Sequence, residues 1–68
     1  MDENKMLVKC LDTNTGDLIV GKVYVAEWIE KVCSNEMYAI KDETGEYYLY
    51  PPSWFEILEG DVNKLPRW

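Results

Sequence analysis

Histidine is absent from all 68 residues, and the two cysteines, Cys10 and Cys33, stand 23 positions apart. Without imidazole there is no usual zinc ligand set and no general base for a nucleophilic serine or cysteine, so no metal, cofactor or catalytic residue is expected. Bases are scarce as well. Seven lysines and arginines face thirteen acids, for a formal charge of −6, the opposite of the balance that nucleic-acid backbones attract. No apolar run approaches the roughly 20 residues needed to cross a bilayer, and no basic amphipathic helix is available to lie on one. The N-terminus carries no apolar h-region or signal-cleavage pattern, so a cytoplasmic setting with two free thiols is expected.

Aromatic residues are what the chain does have. Five of its nine aromatics and two of its three prolines fall within Gly45 to Leu58. A chain this short buries only about 60% of its unfolded surface, and large rings are an economical way to fill so small a core.

MDENK, residues 1–5, is polar and reads as a disordered N-terminus. Met6 to Leu11 reads as a first strand, followed by the turn formers Asp12 to Asp17. Val23 to Glu30, rich in β-branched and aromatic residues, predicts a long second strand, with Gly21 marking a bend before it. Lys31 to Glu36 reads as a loop. Met37–Asp42 and Glu46–Tyr50 flank Glu43-Thr44-Gly45 as a hairpin, and Pro51-Pro52 ends its second strand. Ser53-Trp54 allows one tight 3₁₀ turn before a last strand, Phe55 to Leu58. These elements predict an all-β domain over residues 6–58, a small five-stranded barrel, with residues 59–68 as a tail docked on it.

Order and spacing resemble an SH3-like barrel from about Leu18 to Leu58. Val20-Gly21-Lys22-Val23-Tyr24, Asp42-Glu43-Thr44-Gly45 and Tyr50-Pro51 with Phe55-Glu56 are similar to a pattern in small, mostly uncharacterised SH3-like proteins of low-GC Gram-positive bacteria and their phages. The resemblance implies a fold more than an activity, since such barrels host unrelated functions. It also places Pro51 and Trp54 at two positions of the groove that grips proline-rich peptides. The first strand lacks paired tyrosines and Met37 stands where a tryptophan usually opens the third strand, so an intact proline-peptide site is not expected.

Alternation carries the functional expectation. With Tyr24, Ala26, Ile40, Tyr48, Tyr50 and Phe55 inward, period-two geometry turns Val23, Val25, Met37, Ala39, Tyr47 and Leu49 outward as one apolar face. A contiguous face of this kind marks a binding or dimer surface, unless the tail, with Leu65 and Trp68, folds over it. Val23, Val25, Met37, Tyr47, Leu49 and Trp54 are therefore the candidate contacts for a protein partner or a second copy. An alternative uses the acids: Asp42, Glu43 and Glu46 at the hairpin, with Glu56, Glu59 and Asp61 near the tail, could imitate nucleic-acid phosphates toward a basic protein.

Overall fold

The computed structural model describes residues 4–68. The expected disorder of residues 1–5 thus lies largely outside the described residues, and Lys5 is half-buried. Five antiparallel strands form one sheet: β1 (Met6–Cys10), β2 (Val23–Val32), β3 (Asn35–Lys41), β4 (Tyr47–Tyr50) and β5 (Phe55–Glu59), in spatial order β4-β3-β2-β1-β5. A 3₁₀ turn, Pro52–Trp54, precedes β5 and a second, Val62–Lys64, lies in the tail.

β2 is the hinge of the architecture because its ten residues serve two partners. Its first half pairs with β1, from Lys9↔Val23 to Met6↔Ala26, and its second half with β3, from Ala26↔Ile40 to Val32↔Asn35. At the changeover a bulge inserts Glu27: Ala26 and Trp28 oppose the consecutive residues Ile40 and Ala39. Such an extra residue bends a strand and shifts its alternation. Ile29, rather than Trp28, therefore continues the inward row of Tyr24 and Ala26.

The sheet curls around a core in which Met6, Val8, Cys10, Ala26 and Ile40 are fully enclosed. It is not a closed barrel: among the described residues no ladder joins the edge strands β4 and β5. Rings span that seam instead. Phe55, at the start of β5, lies 6.1 Å from the Tyr38 ring and 6.4 Å from that of Tyr50, which brings the two arms together through aromatic burial. Away from those rings the seam opens, and Tyr48, expected inside, is 50% exposed.

The connection expected from Lys31 to Glu36 is much shorter. β2 and β3 run on to Val32 and Asn35, leaving a two-residue turn in which Cys33 (φ 50°) and Ser34 (φ 70°) are both left-handed. That is the twist a tight hairpin demands, here met without glycine.

The tail is docked by its backbone and by one side chain. Ile29 N–H donates to the Pro66 carbonyl at 2.9 Å and Trp68 N–H to the Ile29 carbonyl at 2.8 Å, along the part of β2 that β1 leaves unpaired. Leu65 joins the core, Arg67 pairs with Glu36, and Trp68 remains 74% exposed. The tail thus completes the core from the β2 edge.

Candidate protein-binding face

On the convex side of the sheet, strand pairing sets out rows of side chains. Leu7 stands beside Val25, Lys41 beside Tyr47, Met37 beside Glu30, and Trp28, Ala39 and Leu49 form a continuous row. Period two in each strand places these residues together once the bulge is counted. Ala39 belongs to this outer side yet is 0% exposed, flanked in register by Trp28 and Leu49.

Trp28 is the residue that sequence reasoning left unassigned. Its ring centroid lies 5.1 Å from that of Tyr47, and its indole N–H donates to Glu30 Oε1 at 3.1 Å. The Tyr47 hydroxyl donates to the Glu27 carboxylate, which also has Lys5 Nζ at 3.9 Å. The sequence carried one sign of this arrangement: Trp28-Ile29 are consecutive large apolar residues, and an unbroken strand cannot turn both toward one core.

Beside this covered part, the face opens into a groove of about 480 Å³ lined by Val23, Val25 and Tyr47 together with Lys5, Lys22 and Lys41 and the acids Glu27, Asp42 and Glu43. Of the six candidate contacts, three therefore line one concavity. Met37 and Leu49 lie in the neighbouring rows, half-buried. Trp54 does not share the face: it sits in the 3₁₀ turn, its ring 5.9 Å from that of the inward-facing Tyr50, packed against the core.

Of the three acids at the hairpin, Asp42 is engaged inside the fold and Glu43 is paired at its surface. Asp42 is only 6% exposed and accepts hydrogen bonds from the Thr44 N–H, the Thr44 hydroxyl and the Tyr50 hydroxyl. Burial pushes its carboxyl up, but these donors outweigh it and hold the group below the ordinary aspartate range. Asp42 is thus not part of an acidic surface. Glu43 Oε2 accepts from Lys22 Nζ and from the Tyr24 hydroxyl, each at 2.6 Å, and these two bonds depress its pKa. Burial and the bond to Glu43 push the Tyr24 phenol up to about 12. Glu46, Glu56, Glu59 and Asp61 are exposed, and Asp61 caps the tail turn by accepting from Asn63 N–H at 2.9 Å.

Cys10 is buried and Cys33 exposed, both as free thiols. Among the described residues no group of acids and cysteines is arranged to hold a metal ion, and no helix is long and apolar enough to cross a membrane. Compared with known proteins, the chain matches no family, no curated protein and no solved structure.

Proposed function

We propose that this chain is a non-enzymatic protein-binding module of SH3-like architecture that engages a partner through the convex face of its sheet. Strand order and the 3₁₀ turn ahead of β5 support the SH3-like assignment. The observation that carries the function is the groove in which Val23, Val25 and Tyr47 meet: its surface is mainly apolar, lysines and acids also line it, and Val23 is 45% exposed while the tail docks elsewhere. An exposed, mainly apolar concavity with charged residues in its lining has the make-up of a protein interface. The resemblance noted in the sequence makes a host or phage protein in the bacterial cytoplasm the natural partner.

The acidic-mimic alternative is weaker, because Asp42 is turned inward to Thr44 and Tyr50 and Glu43 is paired with Lys22, leaving Glu46, Glu56, Glu59 and Asp61 as its exposed acids. Parallel affinity capture from bacterial lysate with the wild-type chain and Val23→Glu tests the proposal. A partner retained by the wild type and lost from the folded variant supports it. A partner held equally by both, and released instead by moderate salt, favours the acidic surface.

A further inference from the structure

Among the described residues, two margins of the sheet are guarded. The tail occupies the free part of the β2 edge, and β5 carries Glu56 and Glu59 along its length. The third, β4, reads Tyr47-Tyr48-Leu49-Tyr50, with no charge and no bulge. Uncharged edge strands are templates for another strand.

Hydrogen-bond parity shows which groups this edge offers. Asp42 N–H donates to the Glu46 carbonyl at 3.1 Å, so in the alternating antiparallel pattern Ile40↔Tyr48 and Tyr38↔Tyr50 are bonded pairs, whereas Lys41↔Tyr47 and Ala39↔Leu49 are not. The N–H and C=O of Tyr47 and Leu49 consequently point away from β3, toward the free edge. Their neighbours of the same parity are unavailable: Gly45 N–H is held by the Asp42 carbonyl at 3.0 Å, and Pro51 has no N–H and accepts from Trp54 N–H at 3.1 Å.

We propose that two copies of this chain associate through β4, antiparallel about a two-fold axis at Tyr48. In that register Tyr47 lies opposite Leu49 of the second copy, and every outward N–H meets an outward C=O. A slip of two residues in either direction sets Tyr47 or Leu49 against the occupied groups of Gly45 or Pro51. No like charges come opposite one another, since Glu46 faces Tyr50 of the second copy, and a second copy is the occupant whose edge is complementary by symmetry. Tyr48, half-exposed on the concave side, meets its own equivalent across the axis, while the convex apolar rows continue from one copy to the next. This association is separate from the engagement of a partner by the groove.

Sedimentation velocity and amide NMR over about 10 μM to 1 mM, the range expected for a short ladder, test the proposal. The wild type shifts toward a dimer on concentration, and the Tyr47 and Leu49 amides move with it. Tyr48→Lys and Tyr48→Glu, at an exposed position, are each monomeric, and mixing them restores a dimer because opposite charges then meet on the axis. A wild type that stays monomeric at 1 mM, a dimer whose shifting amides lie in β5 or the tail, or one that survives Tyr48→Lys overturns the proposal. Should a variant lose its fold, the wild-type amide shifts decide.

Discussion

The Tyr50 hydroxyl donates to Asp42 Oδ2 at 2.6 Å, tying an inward ring of β4 to the carboxylate that shapes the β3–β4 turn. Because the folded-state pKa of Asp42 lies below its ordinary value of 3.8, its contribution to stability is complete above that value and is lost as pH falls through the lower, folded pKa. Asp42→Asn and Tyr50→Phe should each lower stability at neutral pH by about 1.5–3 kcal/mol, the range for hydrogen bonds to a charged group. Asp42→Asn should also flatten the acid limb of a stability profile below about pH 4. Urea titrations at pH 7 and pH 3 measure both effects.

At the alkaline end the reporter is Tyr24, whose hydroxyl accepts from Ile19 N–H at 2.9 Å while donating to Glu43. A phenol raised from 10.0 to about 12 supplies stability that is full below pH 10 and disappears as pH rises through 12. Tyr24→Phe should remove the Tyr24 share of the alkaline dependence, leaving that of Tyr50 and Tyr38, whose phenols burial also raises, and cost about 1–3 kcal/mol by orphaning a partly buried N–H. Amide exchange at Ile19 should accelerate in the variant.

Gly60 and Gly45 make a controlled pair. Both have positive φ, 101° and 83°, but a Cβ on Gly60 would stand 2.9 Å from the Lys5 carbonyl oxygen and 3.0 Å from Met6 Cα, whereas Gly45 faces open space. Gly45→Ala should cost about 1–2 kcal/mol, the backbone penalty alone. Gly60→Ala should cost clearly more and perturb the β1 amides in NMR spectra.

The Cys33-Ser34 turn offers a gain. Replacing it with Asn-Gly keeps the left-handed geometry while removing most of its steric penalty. The double variant should be more stable by about 1–2 kcal/mol, a rise in Tm of roughly 4–8 °C per kcal/mol. Calorimetry under reducing conditions checks this.

Leu65→Ala tests the docked tail. Leu65 is 4% exposed, and truncating a buried leucine costs about 2–5 kcal/mol. Exchange at the Ile29 and Trp68 amides, which bond across the tail junction, should speed up far more than at Ile40 if the tail is released as a unit.

Most strand positions were legible from the sequence because they rest on local signals: Val23 to Glu30 has the composition of a strand, Gly45 sits where a hairpin turns, and Pro51-Pro52 cannot continue a ladder. The candidate face was legible in part. Val23, Val25 and Tyr47 follow from alternation, but Trp28 escaped because a single inserted residue, Glu27, reverses the parity of everything after it. Asp42 was misplaced because its acidity is visible in the sequence while its donors, Thr44 and Tyr50, become neighbours of its carboxylate only when the hairpin closes.

By itself, then, the sequence determined the all-β class and the order of the elements, since these depend on residue type and near neighbours. Tertiary structure alone decided that the sheet stays open between β4 and β5, that the tail docks on the β2 edge, and that Trp28 turns outward. Each depends on which backbone groups remain unpaired after the strands assemble, a long-range outcome that no local pattern encodes.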